Sequence, residues 1–143
     1  MEVQIESILQ SGQFKKLMEE QITGLRKKYG LKKAEIEILY FLSRCGEHNT
    51  SSDIYYQLMM NRGHISQAVD GLCQKHLIEA VPDREDRRYV HYIILDSAME
   101  IVQQIEKVHE DVRREVLEDV SEEELKVFQN VAVKIRRNIE RLI

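Results

Sequence analysis

Residues 83–88 read Asp83-Arg84-Glu85-Asp86-Arg87-Arg88, six consecutive charges with no apolar side chain among them. Short, partly β-branched runs flank them at residues 77–82 and 89–95, so the charged stretch is the tip of a β-hairpin. Immediately upstream, residues 61–76 form an amphipathic helix: Asn61 is an N-cap type, and Ile65, Ala68, Val69, Leu72 and His76 share one face. A compact helix followed directly by a charged hairpin is the layout of a winged helix-turn-helix. In that layout the helix enters a DNA groove and the hairpin reaches the backbone or the neighbouring groove.

The rest of the chain reads outward from this unit. Upstream, Thr50-Ser51-Ser52-Asp53 has the pattern of a capping box and opens a short helix to Met60. Two short helices joined through Met59-Met60-Asn61 make a helix-turn-helix. Before them, residues 34–45 give a helix with Ile36, Leu39, Tyr40 and Leu42 inward and Gly46 as its stop. Residues 3–28 carry Ile5, Ile8, Leu9, Phe14, Leu17, Met18, Ile22 and Leu25 at helical spacing. Downstream, Asp96 and Ser97 can cap a helix striped by Ile101, Ile105, Val108, Val112 and Val116. Ser121-x-x-Glu124 caps another, with Phe128, Val131, Ile135, Ile139 and Leu142 inward. The expected fold class is mainly α with a small β-hairpin, in the order α-α-α-α-β-β-α-α.

With 143 residues, 43% apolar and 32% charged, the composition fits one globular domain. No apolar run is long enough to span a bilayer and the first residues lack a secretory layout, so the expected location is cytoplasmic, without a membrane partner. Cys45 and Cys73 have no metal-ligand spacing, and neither a metal nor another cofactor is expected. The net charge of −4 is unevenly spread. Between Glu100 and Glu124 ten acidic residues face three basic ones, a net −7, which leaves the remainder at +3. Acid is expected on one long helix, away from any phosphate backbone.

On the helix at 61–76, the arc opposite Ile65 holds His64, Ser66, Gln67, Asp70, Gly71 and Gln74. Short hydroxyl and amide side chains bond base edges in the major groove, so Gln67 fits an adenine and Ser66 a base or a phosphate. Arg62, in the first turn, reaches a phosphate or a guanine. Asp70 counts against a fully DNA-facing arc. At the hairpin tip, Asp83, Asp86 and Arg88 are placed to pair across the turn and leave Arg84 or Arg87 free. An arginine so presented suits a narrow minor groove, where the potential is most negative.

Asp83-x-x-Asp86-x-Arg88, the strand ending in Leu95 and the preceding Leu77-Ile78-Glu79 resemble the MarR family of bacterial regulators, and the resemblance covers essentially the whole chain. It implies a single domain over 1–143, with a winged helix-turn-helix lobe at 30–96 flanked by N- and C-terminal dimerisation helices at 1–29 and 97–143. It further implies a homodimer on palindromic double-stranded DNA, acting as a repressor, with a small-molecule effector as an additional partner. By resemblance the recognition-helix contacts fall on Arg62, His64, Ser66 and Gln67. The wing-tip basic position falls on Arg87, and the wing acid and arginine on Asp86 and Arg88. Two positions depart from the pattern. Leu95-Asp96-Ser97-Ala98 replaces the usual leucine-threonine with a nearby glycine, and His76 stands where a glycine, able to take a left-handed backbone, is common.

Dimerisation also follows from the residues, because two short strands cannot cover three long apolar helical stripes. No glycine-rich phosphate loop, nucleophile elbow or zinc helix is present, so no enzyme is expected. The rival reading is a winged-helix protein-interaction module, which would show an apolar patch where this chain has arginines. His48 and His109 read as solvated, Cys73 as a small buried residue, and Tyr29, Tyr40, Tyr55 and Tyr56 either as core or as the lining of an effector cleft.

Overall fold

A computed structural model of the chain describes residues 12–143. The expected helix positions Ile5, Ile8 and Leu9 lie outside the described residues. Among the described residues six helices and one hairpin follow each other in chain order: α1 Gly12–Tyr29, α2 Lys33–Arg44, α3 Ser51–Leu58, α4 Arg62–Gln74, β1 Ile78–Pro82, β2 Val90–Ile94, α5 Met99–Val116 and α6 Glu122–Leu142. A single 3-10 turn, Asp96–Ala98, precedes α5, so Asp96 does not cap the helix directly as expected. No helix among the described residues is long and apolar enough to cross a membrane.

The helix boundaries follow from local chemistry. Gly30 and Gly46 take positive φ (63° and 58°) after α1 and α2, the conformation in which a missing Cβ removes the steric penalty. Thr50 and Asp53 exchange the two bonds of a capping box at the start of α3, at 3.2 and 3.0 Å. α3 stops at Leu58, short of the expected Met60, because Met59 turns left-handed (φ 52°) and returns its N–H to the Tyr55 carbonyl. Asn61 Oδ1 accepts from Gly63 N at 2.7 Å and starts α4. The far end of α4 is at Gln74, two residues before the expected end. His76 has φ 56°, the left-handed conformation that a glycine would adopt with less strain, and the Ser97 hydroxyl donates to its carbonyl. Ser121 and Glu124 cap α6 reciprocally at 3.0 and 3.1 Å.

Residues 22–109 form one compact unit. Its core is apolar: Ile36, Ile38, Leu39, Ile54, Ile65, Leu72, Ile78 and Ile105 are all almost wholly buried, each worth about 1.5–3 kcal/mol of transfer free energy. α2 packs on α4 and β2, and α4 on α3 and β1. The hairpin is antiparallel, in register from Ile78↔Ile94 to Pro82↔Val90. The segment before α3 runs along β2: Thr50 bridges His91, and Tyr92 N donates to the Asn49 carbonyl at 3.0 Å. Within this unit the half-buried Tyr40, expected inward, stacks on His109 at 3.7 Å, so His109 is not the solvated side chain the sequence suggested.

The second unit comprises, among the described residues, 12–21 and 110–143. The acidic run is not one helix. α5 ends at Val116, and Asp119 turns the chain with φ 62° before α6 begins at Glu122. α6 contains no buried residue. Its expected inward stripe is open within one chain, with Phe128, Val131, Ile135, Ile139 and Leu142 all exposed.

Candidate nucleic-acid interface

Within its bounds α4 divides as its sequence periodicity predicts, with one exception, while His76, expected on the apolar face, falls beyond the helix and is exposed. Ile65, Ala68, Val69 and Leu72 are buried, while Arg62, His64, Ser66, Gln67, Asp70 and Gln74 are exposed. The exception is Gly71, placed on the outward arc by sequence. It is half-buried, and a Cβ built on it would stand 2.7 Å from Oε2 of Glu35 on α2. The polar face therefore narrows towards the C-terminal end of the helix. At the other end the Arg62 guanidinium lies 4.2 Å from the centroid of the Tyr55 ring, a cation–π contact that holds the first turn of α4 against α3.

The charged tip is tied by two acidic side chains with separate tasks. Asp86 receives Arg88 through Nε (3.0 and 3.2 Å) and Nη2 (2.8 Å), and its Oδ1 also accepts the Arg88 backbone N–H at 3.1 Å. This fork is strong because both partners are charged and the geometry is bidentate. The Arg88 side chain remains 86% exposed, so the outer edge of its guanidinium faces solvent. Asp83 does not join that pair, contrary to the sequence reading. It accepts the backbone N–H groups of Glu85 (3.1 Å) and Asp86 (3.0 Å), and its Oδ1 lies 2.7 Å from His91 Nε2. The other ring nitrogen of His91 is 2.5 Å from Asn49 Oδ1, so the imidazole ties the tip to the segment that precedes α3.

These contacts set the electrostatics of the tip. Hydrogen bonding to His91, then to the backbone N–H groups of Asp86 and Glu85, holds the Asp83 carboxyl below its ordinary range. Arg88, first through its side chain and then through its backbone N–H, does the same for Asp86, while Asp86 raises the Arg88 guanidinium. Both acids are thus committed to internal partners. Arg84 and Arg87 are exposed and have no ion-pair partner among the described residues.

The tip arrangement involves two residues that the sequence reading missed, His91 and Asn49. A histidine in the strand immediately after an acidic turn was the available signal, because hairpin register brings Val81 opposite His91 and so carries the ring close to Asp83. The four tyrosines considered for an effector cleft are engaged separately. Tyr29 meets Glu100, Tyr40 stacks on His109, and Tyr55 meets Tyr56 edge-on. Among the described residues no three His, Cys, Asp or Glu side chains gather to hold a metal ion. Cys45 and Cys73 are free thiols pushed above their ordinary range, chiefly by burial.

Comparison with known proteins agrees with this geometry. Residues 31–98 match the family model of a winged helix DNA-binding domain. The HTH-type transcriptional regulator PecS of Dickeya dadantii is 30% identical over 99 residues, a match covering 68% of this chain and 60% of PecS. S. aureus MepR, solved in its DNA-binding conformation, superposes with a TM-score of 0.76 at 17% identity, over 89% of this chain and 93% of that one. A mutant of E. coli MarR superposes with a TM-score of 0.63 at 20% identity, over 84% and 85% of the two chains.

Proposed function

We propose that this chain, which shares its fold with MarR and whose residues 31–98 match a winged helix DNA-binding domain, is a sequence-specific transcriptional regulator, a dimeric repressor on a palindromic operator. The observation that carries the reading is the division of labour among the charges of the lobe. Asp83 and Asp86 are bound internally, which leaves Arg84 and Arg87 without an ion-pair partner among the described residues, while the exposed face of the recognition helix carries Arg62, His64, Ser66 and Gln67.

In this reading α4 lies in the major groove. Gln67 offers an amide for bidentate contact with adenine, Ser66 and His64 address neighbouring edges, and Arg62 meets a guanine or a phosphate. Arg84 and Arg87 reach into the adjoining minor groove or its phosphates, and Arg88 follows with its outer edge. Asp83 and Asp86 contact no DNA. They stiffen the loop so that less side-chain freedom is lost on binding. The open stripe of α6 supports the dimer, since an exposed run of five large apolar side chains at helical spacing is the mark of a surface to be covered. A two-fold dimer then predicts half-sites about 10 base pairs apart. A dimer seated over a promoter excludes polymerase, which makes repression the direct consequence, and a cytoplasmic location goes with it.

Selection of bound sites from random duplexes with the purified protein tests the proposal. A two-fold symmetric motif is expected. Absence of any enriched sequence would overturn it and leave the protein-interaction module standing. Gln67→Ala should then cost about 1–3 kcal/mol at one base position and relax the preference there.

A further inference from the structure

Glu35 is the one charged or polar side chain wholly withdrawn from solvent among the described residues, at 1% exposure. It sits in the first turn of α2, forty residues from its partner. Lys75 Nζ donates to both of its carboxylate oxygens, each at 2.8 Å, and the backbone N–H of Lys32 donates to Oε1 at 2.8 Å. Lys75 is the C-cap of α4 and sends its own N–H to the Gly71 carbonyl at 3.1 Å. The same carboxylate fills the space in which a side chain at residue 71 would stand. One group therefore fastens the start of α2 to the end of α4 by charge, by hydrogen bonds and by contact.

Burying a carboxylate is a poor route to stability. Desolvation consumes much of the attraction, and a well-packed apolar pair commonly serves as well. What such a pair adds is geometry, because α4 cannot slide or tilt over α2 without stranding a charge or driving backbone into the carboxylate. The opposite end of α4 is held by the Arg62–Tyr55 contact. The recognition helix is thus pinned at both ends, and the rear pin is Glu35.

We infer that Glu35 is a positioning residue for DNA reading: acting through Lys75 and Gly71, it fixes the tilt at which Arg62, His64, Ser66 and Gln67 are presented. The inference rests on the DNA-binding reading above. It separates two quantities that a purely structural role would move together. Base-edge contacts need the helix placed within hydrogen-bonding tolerance, whereas binding to arbitrary duplexes depends on phosphate neutralisation and is far less sensitive to tilt.

The test uses the full chain as wild type, Glu35→Gln and Gly71→Ala. Affinity is measured for the selected site and for a scrambled duplex of equal length across a salt series, with the folded fraction followed by circular dichroism. Glu35→Gln keeps the volume and removes the charge. Gly71→Ala drives a methyl group towards the carboxylate and, being a helix-favouring change, remains informative if Glu35→Gln does not fold. Each variant is expected to lower the ratio of site to scrambled affinity about tenfold or more, the scale of one mismatched base pair. Scrambled affinity and its salt slope should stay at wild-type values. Unchanged ratios in the folded variants would overturn the inference, as would proportional losses on both duplexes. A gain on both with a steeper salt slope would also overturn it, by showing that Glu35 only masks the Lys75 charge. A wild-type protein that distinguishes no duplex would instead overturn the DNA-reading function itself, and this inference with it.

Discussion

Ile135→Glu should dissolve the proposed dimer. Ile135 lies in the middle of the open α6 stripe and is 53% exposed in a single chain, with Val131 at 48% and Ile139 at 54% on either side. Complete burial of an isoleucine is worth about 1.5–3 kcal/mol, so covering the exposed half contributes about 1 kcal/mol, or about 2 kcal/mol when a two-fold axis counts it twice. The glutamate forfeits that and brings two carboxylates into the contact. Full desolvation would penalise each by several kcal/mol, but at a half-covered site about 1 kcal/mol apiece is a floor. The sum, about 4 kcal/mol, raises the dimer dissociation constant roughly a thousandfold. Sedimentation velocity over a dilution series measures this directly, and circular dichroism checks that the helices persist. Asn130→Glu supplies the control, since it introduces the same new charge at an exposed position on another face of α6. A dimer as tight in Ile135→Glu as in the control would refute the assignment of this stripe to the subunit interface.

Other outcomes follow from the tip and the thiols. Arg87→Ala should weaken binding on most sequences and reduce the salt slope by about 0.9, one phosphate-equivalent; fluorescence anisotropy across a salt series reads it, and an unchanged slope removes Arg87 from the backbone. Asp83 and Asp86 have carboxyls held below the ordinary range in the folded chain, so their contribution to loop order is complete above the unfolded value of about 3.9 and is lost as pH falls through the lower folded values. Amide exchange at residues 84–89, corrected for its intrinsic pH dependence, should therefore accelerate below about pH 4 relative to the Leu72 amide. The same acceleration in Asp86→Asn as in wild type would contradict the role given to that acid. Cys73, pushed above the ordinary thiol range by burial and then by the Asp70 charge, should react with a disulfide reagent more slowly than free glutathione at neutral pH. Faster reaction would make it a sensor after all.

The legible parts of the fold were those whose chemistry is local. Thr50 with Asp53, Ser121 with Glu124, and Asn61 with Gly63 state their helix starts within three residues, and each cap forms as its sequence implies. The hairpin and the pairing of Asp86 with Arg88 were legible for the same reason, since the partners are two residues apart. Contacts closed by tertiary structure were not. Nearness in sequence points Asp83 to Arg88, whereas antiparallel register delivers His91. Gly71 falls on the polar arc by spacing and has no side chain to declare a preference, although its lack of a Cβ is what admits the Glu35 carboxylate. Glu35 itself carried a signal that went unused: with Ile38, Leu39 and Leu42 it falls at the i, i+3, i+4 and i+7 positions of the buried face of α2.

The α6 stripe shows a different boundary. Apolar periodicity calls for a face to be covered but is silent on which surface does the covering. The spacing of Phe128, Val131, Ile135 and Ile139 points them to one apolar face, and the sequence assigns that face to the dimerisation region without saying how much of it the same chain covers. In this chain α6 buries none of its residues. Among the described residues, each of the other five helices finds cover within the chain for at least one large apolar side chain: Ile22, Leu39, Ile54, Leu72 and Ile105 are all buried. A helix that keeps an equally regular stripe after its neighbours have been supplied marks a surface that one copy leaves open. The sequence, with three long apolar stripes and two short strands to cover them, already implies a second copy; what the fold adds is that α6 is the helix whose stripe one copy leaves open.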